Sequence, residues 1–318
     1  MKILHVVSSL PTRERPFDKP FVQSQIESLK RNGVNIDIVN IKGNESAFNY
    51  FLGIFKVRRQ VSHIKYDAVH AHYSFCGWCA VFQRRSPVIL SLMGSDLHGS
   101  VNERGGQTLE GLLTMLTTRI LIKIVKAVIV KSERMKKEIG NVRVHVVPNG
   151  VDFRTFKPAF HTTPKKNSAR IARRVLFLGN PKDPGKNFML AKKAFEIVKE
   201  ESDKVKLLVP FGICHEDVAR YMNTCDVLLL TSIREGSPNV IKEAMACNLP
   251  IVSTDVGDVR EIIGDTEGCY IASFSPQDVA AKIKLALNYG KRTRGRQRIG
   301  HLNIDNVART IIPIYEEL

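Results

Sequence analysis

Two carboxylates with seven residues between them, Glu235 and Glu243, bracket the turn in Arg234-Glu235-Gly236-Ser237-Pro238-Asn239-Val240-Ile241-Lys242-Glu243-Ala244. Carboxylates accept hydrogen bonds from sugar hydroxyls, and a turn that opens a helix offers free backbone N–H groups to an anion. A ligand that uses both is a sugar nucleotide, with its diphosphate on the amides and its hydroxyls on the carboxylates. The same letters also suit an ordinary strand–turn–helix with a capped start, and taken alone they do not choose. Stepping outward, Val227-Leu228-Leu229-Leu230 reads as a buried parallel strand that delivers the turn. Ser237 is a favourable N-cap and Pro238 a favourable first helical residue, so a helix is predicted to start there. On that helix Asn239 and Glu243 share one face, while Val240, Ile241 and Ala244 line another.

The run from Glu235 to Ala244 resembles the signature of retaining glycosyltransferases of GT-B fold, family 4, also called group 1. Ala246-Cys247-Asn248-Leu249-Pro250-Ile251-Val252-Ser253 supplies the strand that should follow, and Pro148-Asn149-Gly150-Val151-Asp152 resembles the family's junction between two domains. The resemblance therefore spans both halves of the chain. It implies an α/β architecture of two Rossmann-like, doubly wound domains facing a central cleft.

Repeated strand–helix units agree with that architecture. Strands are predicted near 2–8, 35–41, 67–70, 87–92, 126–131 and 142–147, with helices at 21–31, 46–62, 108–123 and 132–139. A polar, basic stretch at 158–170 reads as the linker. The pattern restarts at Arg174-Val175-Leu176-Phe177-Leu178-Gly179, with strands near 205–210, 226–230, 250–253 and 269–272 and a helix at 276–289. The expected division is an acceptor-side domain at 1–157 and a nucleotide-sugar domain at 158–302. A last helix at 303–318 is expected to pack back on the first domain, as is characteristic of GT-B enzymes.

In the family the first glutamate of the pair contacts the donor sugar and the second binds the nucleotide ribose, roles the resemblance carries to Glu235 and Glu243. Gly236, Ser237, Pro238 and Asn239 are expected to give backbone contacts to diphosphate or sugar. The family also places cations after the second domain's first strand, close to a glycine that corresponds to Gly179. Lys186 matches the lysine, while Asn180 stands at the usual arginine position and Lys182 is the nearest substitute. Cations there meet charge growing on the leaving diphosphate. A lone lysine is usually a solvated surface charge, so position in the motif carries this assignment.

The first domain departs from the family pattern. Pro11-Thr12-Arg13-Glu14-Arg15-Pro16 replaces the common glycine-rich turn, and Met93 stands where a histidine is common. Asp96 matches the family's aspartate and is expected to orient the acceptor. Arg13, Arg15, His72 and His98 are the remaining acceptor-side candidates. Retention with front-face attack does not require a protein base, because the departing phosphate oxygen can take the acceptor's proton.

Composition narrows the partners. The chain has 318 residues, 43% hydrophobic and 25% charged, and a net charge of +17, of which +12 falls in residues 1–158. Such an excess attracts a phosphorylated substrate, an anionic membrane surface or nucleic acid. Leu112 to Val130 reads either as an interfacial helix carrying Arg119, Lys123 and Lys126, or as a buried helix followed by a strand. No uncharged apolar run is long enough to span a bilayer and the N-terminus is strand-like, so a cytoplasmic protein, at most peripheral on the membrane's inner face, is expected. Lys291 to Arg298 is basic, but no nucleic-acid-binding motif accompanies it, and nucleic acid is not an expected partner. No Asp-x-Asp occurs and no metal-ligand spacing is visible, so no metal or other cofactor is expected. Six scattered cysteines argue against a disulfide framework, and Cys76-Gly77-Trp78-Cys79 reads as two thiols at a helix start. The resulting expectation is a glycosyltransferase using a UDP or GDP sugar on a glycan or lipid-linked acceptor in polysaccharide assembly. A nucleotide-sugar epimerase of the same fold is the nearest alternative.

Overall fold

The computed structural model describes residues 1–100, 102, 106–140, 143–159 and 172–318. Most of the linker expected at 158–170 lies outside the described residues. In chain order the first elements are β1 (Lys2–Val7), α1 (Pro20–Arg31), β2 (Asn35–Asn40), α2 (Phe48–His63), β3 (Ala68–His72) and α3 (Ser74–Val81). They are followed by β4 (Val88–Ser91), α4 (Ser95–His98), α5 (Leu109–Leu121), β5 (Ala127–Val130), α6 (Glu133–Ile139) and β6 (Val144–Val146). The chain then gives β7 (Arg173–Phe177), α7 (Phe188–Glu201), β8 (Val205–Leu208), α8 (His215–Thr224), β9 (Val227–Leu230) and α9 (Asn239–Ala246). It ends with β10 (Ile251–Thr254), α10 (Val259–Ile263), β11 (Cys269–Ala272), α11 (Pro276–Tyr289), α12 (Gly295–Arg298) and α13 (Ile304–Glu316).

These elements form two Rossmann-like units. The first comprises residues 1–101, 106–150 and 304–318, and the second 102–105 and 151–303. The chain changes unit at Gly150, seven residues before the expected boundary, because Val151 and Phe156 are core residues of the second unit. Within that unit Val151 bridges to Asn303 and donates its N–H to Leu302.

The first unit's sheet is parallel throughout, in the order β2-β1-β3-β4-β5-β6. Alternation along β1 explains its two cores. Leu4 and Val6 face α2, α3 and α5, whereas Ile3 and Val7 face α1 and α13. The C-terminal helix α13 belongs to this unit, burying Ile304, Val307, Ala308, Ile311, Ile314 and Tyr315 at helical spacing. Its start is fixed on α1: Asp305 accepts from Ser28 at 2.6 Å and from Arg31 at 2.8 Å. The Cys76–Cys79 pair lies in α3, both thiols free and buried, with Cys79 Sγ donating to Tyr50 O at 3.1 Å. Burial pushes the Cys79 thiol up to about 12.

The second unit's sheet runs β11-β10-β9-β7-β8, again all parallel. In both sheets the third strand of the unit pairs with the first, so the order reverses between them. The second unit therefore has its switch point at β7/β9 and the first at β1/β3. Loops leaving the two strands at such a point run in opposite directions and open a crevice beyond the strand ends. Two arginines of the basic stretch after α11 clamp the second unit. Arg292 donates to the carbonyls of Met222, Asn223 and Cys225, and Arg296 to those of Phe153, Phe156 and Ala246.

Candidate functional site

At the β7/β9 switch point the loops after both strands meet. After β7, Gly179 leads into Asn180–Asn187, where a single 3₁₀ turn at Pro184–Lys186 is capped by the Asp183 carboxylate. Asn187 adopts a left-handed conformation (φ 49°), and Thr231 after β9 fixes the segment by donating to the carbonyls of Lys186 and Asn187. Lys186 thereby projects along the strand ends. Its stem lies against Gly179, where a Cβ would sit 3.3 Å from Lys186 Cγ, tighter than an ordinary contact. Its ammonium meets Glu235 Oε1 at 2.6 Å, and Ser232 Oγ donates to the same oxygen at 2.9 Å. Both partners are only part-buried.

The helix after the turn begins one residue later than the sequence suggests. Pro238 occupies the N-cap position and α9 starts at Asn239, with no side-chain cap. Ser237, the expected cap, instead donates to Asp258 Oδ2 at 2.6 Å, tying the turn to the loop after β10. That loop comes very close. A Cβ on Gly257 (φ +58°) would lie 2.8 Å from Gly236 O, so both the conformation and the space there call for glycine. Behind the turn Lys242 is fully buried; burial pulls its ammonium down to about 8, against the charges of Asp258 and Glu243. Burial in turn raises Asp258, opposed by Lys242 and the Ser237 hydrogen bond.

Glu243 is 8% exposed and sits 3.1 Å from His215 Nε2 at the start of α8. Burial alone would lower His215, but the hydrogen bond and charge of Glu243 outweigh it and raise it overall. Phe156 packs edge-on against the imidazole, with ring centroids 5.0 Å apart. Lys182 is exposed on the turn after β7, its backbone N–H bound to Asn180 Oδ1 at 3.0 Å. The structure thus brings together Gly179, Lys186, Glu235, Gly236, Ser237, Pro238, Asn239 and Glu243. It adds His215, Ser232, Gly257 and Asp258, which sequence reasoning missed. All four follow the carboxyl ends of parallel strands, which is the signal that could have found them.

The acceptor-side candidates lie in the first unit. Asp96 was expected to orient an acceptor, but it is fully buried. Its two oxygens accept the backbone N–H groups of Ser74 (2.7 Å) and Met93 (2.6 Å), fastening the end of β3 to that of β4. Burial raises its pKa against those two hydrogen bonds, and with no exposed surface the carboxylate is turned to the backbone rather than to a ligand. His72 is likewise 2% exposed and accepts or donates at 2.9 Å to His5 Nδ1. Its ring belongs to a buried polar chain across β1 and β3: His70 bonds Ser91 (2.8 Å) and the Tyr315 hydroxyl (2.6 Å). Burial lowers all three imidazoles, His5 to about 3, so the chain is neutral. His98 pairs with Glu138 at 3.0 Å, while Arg13 and Arg15 are exposed on the turn after β1. Nearer the end of β1, Lys19 donates to Ser8 Oγ and lies over the Tyr73 ring. One nitrogen from each of the three imidazoles lies within 4.8 Å of the others, yet one pair already shares a hydrogen bond and His70 has both nitrogens engaged.

Comparison with known proteins follows the same division. Residues 4–155 match the model described as Glycosyltransferase Family 4, and residues 190–300 that described as Glycosyl transferases group 1. MJ1178 of Methanocaldococcus jannaschii, an uncharacterized glycosyltransferase, is 25% identical over 85% of this chain and 81% of its own length. TuaC of Bacillus subtilis, whose name places it as a glycosyltransferase in teichuronic acid biosynthesis, is 21% identical over 89% of this chain and 88% of its own. Among solved structures, that of Anabaena Alr3699/HepE in complex with UDP and glucose superposes with a TM-score of 0.70. At 17% identity over 100% of both chains, that likeness bears on the fold, which is GT-B.

Proposed function

This chain belongs to the group 1, family 4 glycosyltransferases, and we propose that it moves a sugar from a nucleoside diphosphate sugar, UDP- or GDP-linked, to a glycan or lipid-linked acceptor with retained configuration. The observation that carries the donor assignment is the Lys186–Glu235 pair at the β7/β9 switch point, with Glu243 four residues into the adjoining helix. The UDP complex of the Anabaena protein and the naming of the Bacillus relative support a UDP sugar and polysaccharide assembly, respectively.

In this reading the diphosphate lies over the N-terminus of α9, whose first N–H groups have no intrahelical carbonyl to bond. Lys186 exchanges part of its contact with Glu235 for the phosphate oxygens, and Glu235 turns to a sugar hydroxyl. Glu243, held by His215, accepts the ribose hydroxyls. The anomeric carbon–phosphate bond breaks while the acceptor oxygen bonds the same face, and the departing phosphate oxygen takes the acceptor's proton. The cation that meets growing negative charge is the lysine, so the transfer proceeds without a metal.

Incubation of the enzyme with UDP- and GDP-sugars and a panel of lipid-linked and oligosaccharide acceptors, with EDTA present, tests this. Release of nucleoside diphosphate that depends on acceptor, with an NMR coupling that reports the donor's anomeric configuration in the product, is the expected result. Conversion of the donor sugar without any acceptor would make the enzyme an epimerase instead.

A further inference from the structure

Helix α5 is turned inside out. Toward the core of the first unit it presents Gly111, Thr114, Thr118 and Leu121. The two threonine hydroxyls are satisfied by donating to carbonyls one turn back, Glu110 at 2.9 Å and Thr114 at 2.7 Å. Outward it presents Leu112, Leu113, Leu116 and Ile120, each about half exposed, and Ile124 extends the stripe into the following turn. A surface helix in a water-soluble fold has the reverse arrangement. The inversion is not confined to α5. On α2, Phe51 and Phe55 are exposed by 54% and 56% and pack on each other in solvent, ring centroids 5.4 Å apart. Helix α3 lies between the two, in contact with both, so the three helices form one side of the first unit.

The charges on that side are positive but for one. Residues 48–63, 74–86 and 109–126 hold eight lysines and arginines and a single acid, Glu110. Among them Lys56, Arg58, Arg59, Arg119, Lys123 and Lys126 are exposed. An open depression beside the turn after α5 is lined by Arg84, Arg85, Ile124 and Lys126, joining cations to the apolar stripe.

We propose that this face docks on an anionic lipid bilayer, with the leucine and phenylalanine side chains in the acyl boundary and the cations on lipid phosphates. Exposed apolar area of this extent marks an interaction surface, and apolar side chains interspersed with cations match the amphipathic chemistry of an anionic interface. A second copy of the chain is a poorer occupant, because a two-fold contact would set eight cations against the same eight. The attachment is interfacial, since among the described residues no helix is long and apolar enough to cross a membrane. The inference rests on the first unit alone and stands apart from the donor chemistry of the second.

The test is flotation of the full chain with phosphatidylcholine vesicles, with and without phosphatidylglycerol, repeated at high salt. A triple variant, Leu113→Gln, Leu116→Gln and Ile120→Gln, replaces only exposed side chains, and its circular dichroism and urea unfolding are followed in parallel to confirm an intact first unit. The expected result is flotation with the anionic vesicles only, weakened by salt, and weaker in the variant by about tenfold or more. Wild-type protein that stays unbound, binds both vesicles equally, or floats as well after the triple substitution overturns the proposal. So does a wild-type dimer that the triple variant converts to monomer, because a second copy would then cover the face.

Discussion

At the switch point of the second unit, Lys186 faces Glu235 and His215 faces Glu243, and each pair stays within reach of solvent. At the corresponding point of the first unit, His5, His70 and His72 lie neutral and buried, His5 bonded to His72, His70 to Ser91 and Tyr315, and Tyr315 in turn to His5. The strand orders are equivalent, so topology does not make the difference; solvation does. A part-exposed ion pair can exchange a partner for a charged ligand, because the ligand replaces the charge it displaces. A buried neutral chain has no such exchange open to it, and opening it leaves donors and acceptors unpaired at full desolvation cost. The first set is suited to binding and the second to holding α13 on its sheet.

The largest effect should come from breaking the charged pair. Glu235→Ala and Lys186→Ala are each expected to lower kcat by about 10²–10³-fold, the usual loss for one preorganised charge-stabilising group. Because the two side chains act through one contact, the double variant should lose far less than the product of the single losses, as steady-state kinetics on all three variants would reveal. Strict multiplicativity would mean that they act separately.

Breaking the neutral chain should cost stability and leave chemistry alone. Tyr315→Phe strands His70 Nδ1 in the core, and urea unfolding should record a loss of about 1–3 kcal/mol. Activity per folded molecule should be unchanged, and a fall in kcat would bring this network into the reaction.

A smaller effect of pH sharpens the contrast through its sign. The three buried imidazoles have lowered pKa values, so their stabilising contribution is complete above the unfolded value near 6.5 and is lost as pH falls toward the folded one. Each contributes a slope of about 1.4 kcal/mol per pH unit in that window. His215 is shifted upward, so its contribution is complete below the unfolded value and is lost as pH rises through the folded one. Urea melts from pH 7.5 down to 5 should therefore show acid destabilisation that shrinks in His70→Phe and persists in His215→Gln.

The smallest change concerns support for the turn. Gly257→Ala must strain a left-handed residue and press on Gly236 O, which should weaken donor affinity by about tenfold with little change in kcat at saturation. Titration calorimetry with UDP would show it, and undiminished affinity would mean that the two loops can part.

The placement of Glu235 to Glu243 was legible because these residues are neighbours: a strand, a turn and one helical turn place them, and local rules suffice. The one local error, Ser237 as the N-cap, arose because its hydroxyl has a better acceptor in Asp258, twenty-one residues on. Contacts of that kind were out of reach. Glu243 and His215 stand twenty-eight apart, and His70 and Tyr315 are separated by 245. Asp96 and His72 illustrate the same gap from the other side. Residue type and position beyond a strand suggested ligand contacts, but only folding reveals that both are buried among backbone amides and imidazoles. The segment from Leu112 to Val130 left two readings open. Its course as α5 and then β5 follows the second, while the outward leucines keep the amphipathic content of the first.

The central claim, that the β7/β9 crevice holds the nucleotide of a sugar donor through Glu243, is tested most directly by thermal unfolding with UDP, GDP or ADP in excess. Wild type and Glu243→Ala are compared with EDTA present. At about a hundred times its Kd a ligand adds roughly 2.7 kcal/mol, a shift of several degrees for domains of this size. The account predicts that UDP or GDP raises the wild-type Tm by that amount despite the chelator and moves the variant far less. Equal shifts in the two proteins, or none with these nucleotides or their intact sugar donors, would contradict it.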